Sequence, residues 1–187
     1  KYNITSNTVE NMTASDFIRP RMGCARQGDS IYCFGGSLIS SDIIKYNITS
    51  NTVSHIGYLP YGRRLMVCVP YGTEEIYCFG GENPYWGGPL DQIIRYNVTS
   101  LSLSVITMPF SKTFDSCVPF GDDIYCFIGG TQEILKYNIP SNTFTNMTSL
   151  PMPLGGTSCA PFVDSIYCFG GRDTNIILKY GMEFLDP

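Results

Sequence analysis

The sequence predicts an all-β fold made of four copies of one four-stranded unit. The segment Ile-Tyr-Cys-Phe-Gly-Gly recurs along the chain, and a Lys/Arg-Tyr pair follows each copy after a loop of variable length. Gly and Pro, 19 and 12 residues, interrupt the sequence too often for long helices, and no helical apolar period shows.

The segment stands at Ile31–Gly36 and Ile76–Gly81, returns with one extra residue at Ile124–Gly130, and recurs at Ile166–Gly171, at spacings of 45, 48 and 42 residues. The following tyrosines are Tyr46, Tyr96, Tyr137 and Tyr180, and Tyr2 repeats the pattern at the start. Each unit reads as four strands. Strand a holds a first cysteine, as in Leu65–Pro70, and strand b is the recurring segment. Strand c runs into a Tyr-Asn pair, as in Ile43–Asn47, and strand d follows a Ser-Asn-Thr turn, as in Thr52–Leu59. A four-stranded unit of this length is the size of a propeller blade. Alternation sets Ile31 and Cys33 on one face of strand b and Tyr32 and Phe34 on the other. Both faces are apolar, as a sheet between two neighbours requires. The units fall at about 13–56, 57–106, 107–148 and 149–187, the last taken with 1–12, in a single domain over 1–187.

Of the 187 residues 43% are hydrophobic and 15% charged, the balance of a folded protein. The net charge is −4 and no basic run exceeds Arg63-Arg64, so no nucleic-acid partner is expected. No apolar stretch approaches the roughly 18 residues of a membrane span. The chain opens at Lys1, which reads as a mature product or a piece of something longer.

An apolar strand, a Gly-Gly doublet, a Tyr beyond a variable loop and a large apolar residue about seven positions on resembles the kelch repeat. Here the pattern is Gly80-Gly81, Tyr96 and Leu103, or Gly129-Gly130, Tyr137 and Phe144. Kelch repeats usually carry Trp at the last position; this chain has Val9, Val53, Leu103 and Phe144. The resemblance covers essentially the whole chain and implies a kelch-type β-propeller of four four-stranded blades. The last unit lacks a strand d, and residues 1–12 hold a spare one. The last blade is therefore expected to be completed by the N-terminal strand, of the same chain or of a neighbouring one. Kelch rings usually have more than four blades, so a closed four-bladed ring, a larger ring and an open polymer all remain open.

Each unit carries two cysteines: Cys24 and Cys33, Cys68 and Cys78, Cys117 and Cys126, Cys159 and Cys168. Gly28-Asp29, Gly121-Asp122 and Val163-Asp164 sit where two-residue hairpin turns would be. Counting outward from the turn, Cys24 lies opposite Cys33 on a non-hydrogen-bonded pair, where the Cα atoms come to roughly 4.5 Å, within disulfide range. One cross-hairpin disulfide per unit is the natural pairing. Zinc sites favour C-x-x-C spacings, which the chain lacks, and buried free thiols are the other alternative. The sequons Asn3-Ile4-Thr5, Asn11-Met12-Thr13, Asn47-Ile48-Thr49, Asn97-Val98-Thr99 and Asn146-Met147-Thr148 fit N-glycosylation acceptors, and Asn3, Asn47 and Asn97 share one repeat position. Cysteines and sequons together predict a secreted, extracellular glycoprotein.

No catalytic site is expected. His55 is the single histidine, and no G-x-S-x-G elbow, P-loop or H-E-x-x-H accompanies it. Some kelch-type propellers are copper radical oxidases such as galactose oxidase, but one histidine cannot supply their ligand set. Asp122-Asp123 and Glu74-Glu75 read as solvated turn residues. No cofactor or metal is expected. The loop from Glu82 to Leu90 is longer than its counterparts and holds the single Trp. Tyr85 and Trp86 are candidate contact anchors there, or Trp86 folds back over the end of the fold. The expected function is an extracellular glycosylated structural or interaction module without catalysis. Its partners are protein or glycan, including copies of itself joined head to tail in a filament or surface layer. The alternative is an accessory propeller domain of a larger secreted enzyme or receptor.

Overall fold

The computed structural model describes residues 2–10, 12, 15–171 and 175–181. Among these there is no α-helix. The chain forms four small antiparallel sheets and an N-terminal hairpin. The hairpin is β1 (Tyr2–Asn3) and β2 (Thr8–Val9). The first sheet runs β3 (Gly23–Gln27), β4 (Ser30–Phe34), β5 (Asp42–Asn47), β6 (Thr52–Tyr58). The second runs β7 (Arg64–Tyr71), β8 (Glu75–Asn83), β10 (Gln92–Asn97), β11 (Ser102–Thr107), with the short β9 (Gly88–Pro89) folded back on β8. The third runs β12 (Phe114–Phe120), β13 (Asp123–Ile128), β14 (Ile134–Asn138), β15 (Thr143–Asn146). The fourth has three strands, β16 (Ser158–Phe162), β17 (Ser165–Phe169) and β18 (Ile177–Gly181). Strand neighbours follow chain order, so every unit is a meander of local pairings.

Turn chemistry fixes the registers. Gln27 pairs with Ser30, Phe120 with Asp123 and Phe162 with Ser165, leaving the two-residue turns that the sequence predicts; the second unit has the longer turn Gly72–Glu74 between Tyr71 and Glu75. The first residue of each turn is left-handed: Gly28 at φ 57°, Gly72 at 56°, Gly121 at 58° and Val163 at 55°. At the far end of strand b the Gly-Gly doublet lets two chain segments meet. The Gly36 amide donates to Arg63 O at 2.9 Å, and a Cβ on Gly35 would stand 2.1 Å from that oxygen.

The sheets stack face to face in sequence order: β3 packs on β7, β7 on β12 and β12 on β16. Each junction is an apolar cluster built from opposite faces of consecutive sheets. Ala25, Tyr32, Phe34 and Ile43 meet Ile76, Cys78, Ile94 and Tyr96. Val69, Tyr77, Phe79 and Ile93 meet Ile124, Cys126, Leu135 and Tyr137. Val118, Tyr125, Phe127 and Ile134 meet Ile166, Cys168, Leu178 and Tyr180. Both faces of the middle sheets are buried, which is why their strands lack a polar alternation.

Two expectations change. Completion of the fourth unit by the N-terminal strand of the same chain is not seen: β18 ends a three-stranded sheet, while β1 pairs with β2. The reason is local. Tyr2 faces Val9 and Asn3 faces Thr8, the register in which Tyr46 faces Val53 and Asn47 faces Thr52, and Asn3 Oδ1 accepts from the Thr5 and Ser6 amides to hold the turn. The segment thus carries its own strand c tail as partner for its strand d. The second change is at 82–90, where the expected loop is a hairpin, Glu82 facing Pro89 and Asn83 facing Gly88.

Candidate functional site

The eight cysteines form four disulfides, Cys24–Cys33, Cys68–Cys78, Cys117–Cys126 and Cys159–Cys168, with Cα atoms 4.0 to 4.1 Å apart. Each pair lies directly opposite on strands a and b, as the turn count predicts. Thiols are thereby unavailable for metal or nucleophilic chemistry, and four disulfides are typical of an oxidising compartment.

The two ends of the sheets differ. At one end lie the turns between strands a and b and those between c and d, tied together by Ile48 N to Asp29 O, Val98 N to Glu74 O and Ile139 N to Asp122 O at 2.8 to 2.9 Å. Asn47 and Asn97 sit at this rim. Each carbonyl caps its turn: Asn47 Oδ1 accepts from Ser50 N, and Asn97 Oδ1 from Thr99 N and Ser100 N. Asn3 does the same in the N-terminal hairpin. The third unit keeps the turn but not the sequon. There Asn138 Oδ1 accepts from Ser141 N while its Nδ2 donates to Asp123 Oδ1 at 2.8 Å. Asn146 is exposed at the end of β15, and Asn11 lies outside the described residues.

The opposite end carries the Gly-Gly doublets and the 82–90 hairpin. Asn83 is buried and clamps it, its Nδ2 donating to Gly62 O at 2.9 Å and its Oδ1 accepting from Tyr85 N at 3.0 Å. Trp86 packs edge-on against Tyr61 with ring centroids 4.5 Å apart, and Tyr61, Tyr85 and Trp86 all remain exposed. Trp86 thus lies at this end of the sheets against Tyr61, partly exposed. Tyr61 comes from the connection between the first two units and was not among the residues the sequence pointed to.

His55 is hydrogen-bonded to Asp42 at 3.1 Å and packs against the Phe17 and Tyr58 rings. Ser40 Oγ donates to the other oxygen of Asp42 at 2.7 Å rather than to the imidazole. The imidazole therefore does not touch the hydroxyl, and the three groups are not arranged as a serine–histidine–aspartate relay. Among the described residues no cluster of three His, Cys, Asp or Glu side chains could hold a metal ion.

Arg63 is a buried cation that the sequence did not single out. Its Nη2 donates to Gln92 Oε1 at 2.6 Å and its Nη1 reaches Gly80 O at 3.4 Å, both in the second unit, while its backbone carbonyl accepts from Gly36 N of the first. Burial pushes its pKa down to about 10, against the opposing field of Asp91. A lone Arg in a connecting segment carries no sequence signal of burial; only stacking of the two sheets encloses it.

No family profile matches this sequence, and no curated protein matches it. Its fold is similar to that of the solved structure of YjhT, with a TM-score of 0.73 at 15% sequence identity over 86% of this chain. The present chain spans 61% of the length of that one. At this identity the likeness shows a shared fold, not a shared activity.

Proposed function

We propose that this chain is an extracellular, glycosylated, non-catalytic interaction module, and that its stacked sheets are blades of a kelch-type β-propeller. The observation that carries the reading is the division between the two ends. One rim bears the repeated sequon turns, whose asparagine carbonyls are held by the backbone. The other bears the clamped hairpin with exposed Tyr61, Tyr85 and Trp86. Glycans at Asn47 and Asn97 would leave the hairpin open for a protein or glycan partner; Asn146, the sequon towards the hairpin's end of the sheets, lies on β15 in the third unit rather than in the second. The disulfides support the same reading, because each sheet is cross-linked within its own hairpin, giving rigid contact surfaces at low ordering cost.

The test is a glycopeptide map of the chain made in a eukaryotic secretory pathway. Glycans are expected at Asn47 and Asn97, and Asn138 serves as the unglycosylated control. A secreted, folded chain with both asparagines bare would overturn the glycoprotein reading.

A further inference from the structure

We propose that the first sugar of a glycan on Asn97, an N-acetylhexosamine, lies in the groove beside that residue and is held there by Arg95, Glu75 and Ser104 as a fixed part of the fold. The proposal rests on the glycoprotein reading and says where one of those glycans sits.

Asn97 ends β10 and begins the turn to β11. Its Oδ1 accepts from the Thr99 and Ser100 amides at 3.0 and 2.8 Å and from Ser100 Oγ at 3.0 Å. Backbone N–H groups can meet only the oxygen, so the carboxamide is not turned over. A planar group whose oxygen is fixed has its nitrogen aimed as well. That nitrogen is the atom that carries an N-linked sugar. Asn97 lines a groove of about 260 Å³ together with Glu75, Arg95, Ser102, Leu103 and Ser104.

Cross-strand pairing makes the groove polar. Asn97 faces Glu75 on one side and Ser102 on the other, and Arg95 faces Tyr77 and Ser104. These side chains therefore share one face of the second sheet. Arg95 Nε and Nη2 both donate to Glu75 Oε1, the former at 2.9 Å, and the Tyr77 hydroxyl donates to Glu75 Oε2 at 3.1 Å. The exposed guanidinium has N–H donors beyond those two, and the exposed Ser104 adds a hydroxyl that donates or accepts. An N-acetylhexosamine offers the matching groups: an acetamido carbonyl and ring oxygens that accept, and an amide N–H and hydroxyls that donate. Its bond to Asn97 supplies a high effective concentration, so contacts too weak to hold a free sugar suffice.

The other copies of the turn are built differently at this point. In the third unit Asn138 Nδ2 donates to Asp123 Oδ1 at 2.8 Å, and the chain has no sequon there. In the second unit the carboxylate facing the asparagine is engaged by Arg95 and Tyr77 instead, which leaves the Asn97 nitrogen for a sugar. In the first unit Asn47 keeps the sequon but faces Ser30, and Lys45 lies over the Tyr32 ring at 5.7 Å, so no carboxylate–guanidinium pair stands beside it. Asn47 and Asn97 cap their turns alike, which makes Asn47 the control.

The test treats the chain, made in a eukaryotic secretory pathway, with an amidase that releases N-glycans, and follows release at each asparagine by mass spectrometry. In the folded chain Asn97 is expected to be freed at least about tenfold more slowly than Asn47, as two hydrogen bonds of ordinary net strength provide. In the denatured chain the two rates are expected to match. Arg95→Ala is expected to remove the difference. Because it also breaks the pair with Glu75, Ser104→Gln is the second variant: it fills the groove from an exposed strand position and is expected to speed release at Asn97 alone. Circular dichroism checks the folding of both. Equal release at the two sites in the folded wild type overturns the proposal and leaves the glycoprotein reading standing. So does slow release at Asn97 that neither variant changes, which would assign the shielding to the turn. Asn97 bare while Asn47 carries a glycan overturns it too, and both bare overturns the glycoprotein reading with it.

Discussion

Leu101 and Val163 hold left-handed backbone at positions where other copies of the repeat use residues suited to it. Leu101 has φ 54° in the turn between strands c and d, where the first and third units place Asn51 and Asn142 at 53° and 55°. The asparagines do a second job: Tyr46 and Tyr137 donate their hydroxyl hydrogens to Asn51 Oδ1 and Asn142 Oδ1 at 3.1 and 2.8 Å. Leu101 offers no acceptor, and the buried Tyr96 hydroxyl has no hydrogen-bond partner. Leu101→Asn is therefore expected to relieve backbone strain and satisfy the hydroxyl together, raising stability by about 1–2 kcal/mol in urea unfolding. Val163 is β-branched and exposed, at φ 55°, where three other units use Gly. Val163→Gly is expected to add about 1 kcal/mol, the strain relieved exceeding the flexibility given to the unfolded chain. A loss of stability in either variant would contradict the turn assignment.

At the scale of the element, the staple and the buried tyrosines dominate. Replacing Cys68 and Cys78 together by Ala frees a short hairpin loop and is expected to lower stability by about 3 kcal/mol on the chain-entropy estimate. The sheet junctions also set an alkaline limit. Burial raises the pKa of Tyr77, Tyr125 and Tyr137 and pushes that of Tyr96 up to about 12 from 10.0. The unfolded chain ionises these phenols first, so their contribution is complete below pH 10 and is lost as pH climbs toward 12. Arg63, pushed down to about 10, opposes this over a similar window, one group against four. The urea midpoint is expected to fall above about pH 10, with tyrosinate absorbance appearing as the protein unfolds. These elements were largely legible in the sequence, because a meander with tight turns keeps its pairing local: the Gly-Asp turn sets the cysteine register without any long-range contact. The 82–90 hairpin, the burial of Arg63 and the pairing of Tyr61 with Trp86 were not legible, because each joins segments from different strands or units. The β1–β2 pairing was not legible for the opposite reason: its partners, Asn3 and Thr8, are only five residues apart, and two-residue strands carry almost no pattern.

For the whole molecule, the repeat explains the stability of the stack. Three aromatic brackets close three junctions, each built from strand b of one sheet and strand c of the next. Each unit also carries its own cross-hairpin disulfide, so the staple repeats with the sheet. The most direct measurement is a non-reducing peptide map of the chain made in a eukaryotic secretory pathway. The expected result is four disulfides, each within one hairpin, with glycans at Asn47 and Asn97. Disulfides that join different units, or free thiols with both asparagines bare, would contradict it.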